Sequence, residues 1–220
     1  GGMYGVIGIL LALHAREKTG KGQYIDISMT DGSLSLLSLV LSISQVIGQS
    51  IKRSDSMLSH RYACYNTYET ADTRFISIGA VENRFWKNLC DYFNIPEFIP
   101  LQYDDSRRFE IIDFMRRKFK QKTLAQWERE LEPLDICWGA VKTLDEALKS
   151  SLFQEREMVV EIKETDGNRL MVLGTPVKMS DTPGSVRTAP PNFGENTEKI
   201  LNDFGYTKEQ IRSFSENNVI

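Results

Sequence analysis

The opening of this chain, GGMYGVIGILLALHAREKTGKG, constrains its fold more than any other stretch. It is apolar at most positions from Met3 to Lys18, and a helix apolar on most faces must be covered on most faces. Thr19-Gly20-Lys21-Gly22 ends it, because glycine tolerates the positive φ of a helix C-terminus. From Gln23 to Met29 the pattern alternates, with Tyr24, Ile25 and Ile27 around Asp26 and Ser28, which predicts a strand. Asp31 then stands where it can cap a serine- and leucine-rich helix. Helix, strand, helix is the signature of an α/β fold.

The glycines of this opening do not make a nucleotide site. No strand precedes Gly1-Gly2, Gly5 and Gly8 in the chain, so close helix packing explains them better than a dinucleotide fingerprint. Gly20-Lys21 lacks the earlier glycine of a phosphate-binding loop, and Gly22 follows the lysine in place of Ser or Thr. The charge-free run from Gly32 to Ile51 is long enough to be weighed as a membrane span. Six serines (Ser33, Ser35, Ser38, Ser42, Ser44, Ser50) and two glutamines interrupt it, so it is expected to be a buried helix, with no membrane partner. No secretory signal is visible, and the first residues have the character of mid-helix sequence, so a natural start upstream is expected.

A polar, mixed-charge segment from Gln49 to His60 reads as a linker. Tyr62 to Glu69 and Arg74 to Ile78 form two β-rich runs around Thr70-Ala71-Asp72-Thr73, which predicts a hairpin. Helices are expected near Asn83 to Phe93, Ser106 to Gln121 and Leu124 to Leu131, with capping-box spacing at Thr123 to Gln126 and again at Thr143 to Glu146. Glu157 to Ile162 and Arg169 to Leu173 flank a turn signal at Asp166-Gly167. Pro176, Pro183, Pro190 and Pro191 keep the following stretch extended. Helices at Glu195 to Phe204 and Lys208 to Phe214 finish the chain, the second behind a box at Thr207 to Gln210.

With 220 residues and 41% hydrophobic content, the chain can bury a sizeable core without disulfides or metals. A net charge of −3 with scattered lysines and arginines gives no basic stripe, so nucleic acid is not an expected partner. The three cysteines, Cys64, Cys90 and Cys137, are widely spaced without a CxxC, which argues against a disulfide framework or a zinc site. They read as reduced, mostly buried thiols of a cytoplasmic protein.

Only two histidines are present, His14 and His60, too few for a histidine metal cluster or a serine triad. His14 reads as an ordinary helix residue, whereas His60 is either solvated linker or site lining. Asp26 and Asp31 have structural explanations, strand-edge solvation and capping. Glu82, in FISIGAVENRFWKNL, has two readings. A carboxylate in the first turn is stabilised by the helix dipole and can reach free N–H groups. Held at a strand end against a cleft, the same carboxylate can serve as a general acid or base. Tyr62, Tyr65, Phe85 and Trp86 are either core or the lining of an acyl pocket.

Three stretches lie in one order along the chain: GGMYGVIGILLALHAREKTGKGQYIDISMTDG at 1–32, YACYNTYETADTRFISIGAVENRFWKNLC at 62–90, and GTPVKMSDTPGSVRTAPPNFGENTEKILNDFGYTKEQI at 174–211. Together they resemble the family III coenzyme A transferases of the CaiB/BaiF type, a group that includes the α-methylacyl-CoA racemases. The resemblance implies an α/β fold, with part of a Rossmann-like large domain and linker at 1–60 and a smaller α+β domain at 61–150. Residues 151–220 would return to the large domain, and two subunits would interlock as a homodimer. It further implies that the chain corresponds to the C-terminal portion of a longer enzyme. The family's catalytic aspartate then lies a few residues before Gly1, and the racemases' histidine further upstream. His14, His60, Asp26 and Asp31 do not replace them.

GAVENRFW resembles the racemases' strand-end motif, which assigns Glu82 as an active-site acid. The implied substrate is a coenzyme A thioester, with no metal and no nucleotide redox cofactor. Two chemistries follow from the family: α-proton abstraction and return on a 2-methylacyl-CoA, the favoured one, or transfer of coenzyme A to a carboxylic acid through the upstream aspartate. A catalytically inert fragment is the third reading. Asp55-Ser-Met-Leu-Ser-His60 stands where the formyl-CoA transferase branch carries a run of glycines, which argues against an oxalate-type transferase. Ala140 stands where related racemases have proline, so ligand contacts are not carried over at DICWGAV.

Overall fold

The computed structural model describes residues 1–163 and 167–220. They form two units, Gly1–Val141 and Lys142–Ile220. In the first, helix α1 (Gly2–Thr19) stops at Gly20, whose φ of 71° lets its N–H reach back to the Arg16 carbonyl. Gly8 faces the extended segment that follows: a Cβ there would stand 3.1 Å from the side chains of both Ile25 and Ile27. The strand expected at Gln23 to Met29 does not form. Among the described residues no strand pairs with it, and its isoleucines pack onto α1 instead.

Helix α2 (Met29–Ser35) is capped by Ser28, whose Oγ accepts from the Asp31 N–H at 3.2 Å. Asp31, expected as the cap, lies in the first turn, where the helix dipole favours its charge. The single helix expected across Gly32 to Ile51 is two, α2 and α3 (Ser38–Ile47), bent by 48°. Among the described residues no single helix is long and apolar enough to cross a membrane. None of the residues of α1, α2 or α3 is buried, against the expectation of buried helices; Leu10 is 60% exposed and Leu34 67%. Within the Gly1–Val141 unit, no other element covers those apolar faces.

The predicted hairpin is present. Strands β1 (Tyr65–Glu69) and β2 (Phe75–Gly79) pair antiparallel with Tyr65 opposite Gly79. β3 (Trp138–Ala140) pairs along the other edge of β2, with Trp138 opposite Ile78, giving the order β1-β2-β3. Tyr68, Ile76 and Ile78 are the buried members of the alternating pattern. Helices α4 (Asn83–Phe93), α5 (Arg108–Phe119) and α6 (Leu124–Leu131) contribute residues at three- and four-residue spacing, Trp86, Leu89 and Cys90 from α4, and Leu124, Trp127 and Leu131 from α6. A 3-10 helix (Pro96–Leu101) packs against α4, α5 against β1 and α6 against β3.

Both buried indoles find acceptors. Trp86 Nε1 donates to the Phe98 carbonyl at 3.0 Å and Trp127 Nε1 to the Phe119 carbonyl at 2.8 Å. The capping box at Thr123 and Gln126 is formed at the start of α6.

In the second unit, α7 (Leu144–Leu148) and α10 (Lys208–Glu216) start behind capping boxes at Thr143 and Thr207. Between them lie α8 (Ser151–Glu155), the antiparallel pair β4 (Val159–Lys163) and β5 (Arg169–Leu173), and α9 (Thr197–Asp203). Asp166 of the expected turn lies outside the described residues. The proline-bearing stretch 174–193 carries no helix or strand.

Candidate functional site

Strand β2 runs out at Gly79, where the Gly79 N–H donates to the Cys137 carbonyl at 2.8 Å and the Val81 N–H turns back to the Gly79 carbonyl at 2.9 Å. Ala80 is fully buried, and Glu82 follows as the N-cap residue of α4 with φ −69° and ψ 136°. The predicted strand-to-helix junction is therefore present. Its carbonyl accepts from the N–H groups of Phe85 and Trp86 at 3.0 and 3.2 Å. Its side chain, however, takes no hydrogen bond from the first turn and is exposed. The capping explanation weighed from the sequence applies to the backbone position only; the carboxylate caps none of the N–H groups of α4.

The junction is held from a different part of the chain. Gln102, a buried polar side chain, donates through Nε2 to the carbonyls of Ala80 at 3.1 Å and Val81 at 2.7 Å. Tyr103 adds its hydroxyl, which donates to the Val81 carbonyl at 2.6 Å. Burial first, then the neighbouring Cys64 and Glu82, pushes the Tyr103 phenol up to about 12. Burial likewise pushes the Cys64 thiol up to about 11. Both groups stay protonated across the neutral range, so Tyr103 remains a donor.

Tyr103 meets Tyr62 edge to face, ring centroids 5.3 Å apart. The Tyr62 hydroxyl donates to Asp105 Oδ1 at 3.0 Å and accepts from Arg61 Nε at 3.2 Å. Arg61 also binds Asp55 at 2.6 Å and Asp105 Oδ2 at 2.9 Å, and Arg108 shares Asp55 at 2.6 Å. The Arg108 guanidinium, followed by Arg61, holds the Asp55 carboxyl below its usual range despite partial burial. The hydrogen bonds from Arg61 do the same for Asp105.

This network ties the segment after α3 to the start of α5, and it makes a pH-dependent prediction. Arg61→Gln is expected to lower stability at pH 7 by about 1 to 2 kcal/mol, a figure reduced for the exposure of Asp105. Carboxylates depressed in the folded state stabilise fully above their unfolded pKa of about 4, and that contribution is lost as pH falls through the folded values. The Tm gap between wild type and Arg61→Gln should therefore narrow on acidification below about pH 4. A gap that persists unchanged to the acid limit of folding would contradict the assignment.

A cavity of about 560 Å³ lies beside this network, lined by Ile43, Ile47, Met57, Arg61, Tyr62 and Tyr103 among others. A second, of about 430 Å³, is lined by His60, Tyr65, Thr67, Gly79, Cys137 and Trp138 among others. His60 is thus a lining residue, with φ 67° and Nε2 within 3.3 Å of Thr67 Oγ1. The four aromatics grouped from the sequence divide: Tyr62 and Tyr65 face cavities, Trp86 is core, and Phe85 packs against the core.

His14 is an exposed helix residue 3.9 Å from Glu17, and Asp26 is exposed beside α1. Cys64 and Cys90 are buried, whereas Cys137 is exposed. Among the described residues no group of three or more His, Cys, Asp or Glu could hold a metal ion. Gln102, Tyr103 and Asp105 escaped the sequence reading because their partners lie in distant segments and follow no periodic pattern.

Comparison with known proteins supplies the family. Residues 1–197 match the profile of CoA-transferase family III. The human α-methylacyl-CoA racemase is 30% identical over the whole of this chain, which covers 57% of that protein. A succinyl-CoA–D-citramalate CoA-transferase of Chloroflexus aurantiacus is 25% identical over 99% of this chain and 56% of its own length. The chain thus spans little more than half the length of these curated relatives. Among solved structures, a CAIB/BAIF family protein from Brucella suis superposes with a TM-score of 0.72 at 24% identity, covering 92% of this chain and 53% of that one. With its mixed α/β fold and a profile match over most of its length, the chain belongs to CoA-transferase family III.

Proposed function

We propose that the whole protein is a 2-methylacyl-CoA racemase-like enzyme, in which Glu82 is one of two groups that take and return the α-proton of a coenzyme A thioester. The observation that carries this reading is the Glu82 carboxylate, presented at a strand-to-helix junction with no hydrogen bond to its own helix. Identity of 30% to the human racemase across the full chain supports the choice of chemistry.

Racemisation at carbon 2 needs a base on one face and an acid on the other, with the enolate stabilised between them. Glu82 supplies one face. The opposing group is assigned to an aspartate upstream of Gly1, in the region that the resemblance places before this chain. The organisation that goes with this reading is a Rossmann-like large domain including residues 1–60, a small domain at 61–150, a return segment at 151–220, and an interlocked homodimer. Uncovered apolar faces on α1, α2 and α3 support a larger assembly of this kind. A cytoplasmic role in the metabolism of branched acyl-CoA esters completes the proposal.

Identity of 25% to a CoA-transferase favours a second reading, in which the upstream aspartate attacks the thioester and coenzyme A passes through an enzyme-bound thioester to an acceptor acid. One incubation separates the two. Full-length protein with (2R)-2-methylacyl-CoA in deuterated water is expected to place deuterium at carbon 2 with loss of optical purity. Absence of exchange, together with passage of coenzyme A to an added free acid, would overturn the racemase reading in favour of transfer.

A further inference from the structure

A carboxylate that transfers a proton must be aimed, and the Glu82 side chain takes no hydrogen bond from the helix it begins. Its direction is therefore set by the backbone immediately before it. That backbone is gripped at two successive carbonyls, Ala80 and Val81, by two successive side chains, Gln102 and Tyr103. We propose that Gln102 and Tyr103 are positioning residues for Glu82, and that they hold the strand-to-helix junction so that its carboxylate faces the reacting carbon; the inference rests on the acid–base reading of Glu82.

Several features distinguish this clamp from ordinary loop packing. The edge of β2 is already satisfied by its partners in β1 and β3, so the two side chains act only beyond the strand, on the residues that lead into Glu82. Gln102 is buried, so its amide donors are shielded from competing water, and they go to the carbonyls of Ala80 and Val81, with Tyr103 Oη a further neighbour at 3.2 Å. The Tyr103 ring leans on Tyr62, which the Arg61 and Asp105 network fixes in turn. The carboxylate of Glu82 is thus referred to an ionic cluster in a different part of the unit, through donors that do not titrate near neutral pH.

The test is a double-mutant cycle in the full-length protein, read as α-proton exchange of a 2-methylacyl-CoA in deuterated water. Tyr103→Phe removes a single oxygen from an exposed ring and is expected to lower kcat for exchange about tenfold, with KM within about twofold. Gln102→Met, of similar length and without donors, is expected to lower kcat further. Introduced beside Glu82→Gln, neither change should lower the residual rate again, because the group being aimed is already gone.

Equal losses with and without Glu82 would show general destabilisation and overturn the positioning role, as would unchanged kcat in Tyr103→Phe. If Glu82→Gln alone leaves exchange intact, the acid–base reading fails, and the inference built on it fails with it. If Glu82→Gln abolishes exchange while Tyr103→Phe and Gln102→Met match wild type, the reading stands and only the positioning inference falls.

Discussion

Replacing Trp86 with alanine is expected to lower the stability of the Gly1–Val141 unit by about 3 to 5 kcal/mol, the range for deleting a fully buried indole from a packed core. Trp86 is 1% exposed and lies in the first turn of α4, where its Nε1 donates to the Phe98 carbonyl. The substitution would open a cavity between α4 and the 3-10 helix and leave that buried carbonyl without its donor. The effect can be followed in full-length protein by urea unfolding, with Trp127 as the reporter of this core. With a slope of about 2 kcal/mol per molar, the midpoint should fall by roughly 2 M.

Trp86→Phe keeps most of the volume and loses the hydrogen bond, so its midpoint should lie between the two. A midpoint for Trp86→Ala within about 0.3 M of wild type would mean that this indole is not central to the core. The residue also matters to the site, because the turn it anchors is the one that Glu82 begins.

How much of this was legible in the sequence varies with how local the cause is. α4 and α6 were, because their buried residues recur at helical spacing and because Thr123 and Gln126 form a box within four residues. The hairpin of β1 and β2 was legible for the same reason, its turn being carried by Thr70 to Thr73. The segment at 23–29 was misread, since alternation looks the same whether the apolar side faces a sheet or one helix. Here Ile25 and Ile27 meet Gly8 of α1 and no strand runs beside them. The bend between α2 and α3 falls at Leu36 and Leu37, residues that carry no breaking signal of their own.

At the site, the junction could be located but not its wiring. An N-cap carboxylate and one that caps nothing read identically in FISIGAVENRFWKNL, whereas in the fold the Glu82 side chain accepts no hydrogen bond from α4. The clamp from Gln102 and Tyr103 reaches back some twenty residues to two backbone carbonyls, which carry no side-chain signature at all.

Glu82→Gln is the second large effect. Glutamine keeps the shape of the side chain but has no proton to give and no lone pair basic enough to take one. Loss of one acid–base group is expected to slow α-proton exchange by about 10²- to 10⁴-fold. Because the carboxylate makes no hydrogen bond to its helix, the same change should leave stability within about 0.5 kcal/mol of wild type. That separation of activity from stability distinguishes a working carboxylate from a structural one.

The most direct measurement is therefore the initial rate of deuterium incorporation at carbon 2 of a 2-methylacyl-CoA, compared between wild-type and Glu82→Gln full-length proteins of matched thermal stability. A loss of at least about a hundredfold is the predicted result. An undiminished rate in Glu82→Gln would contradict the account and return Glu82 to the status of an exposed residue at the head of a helix.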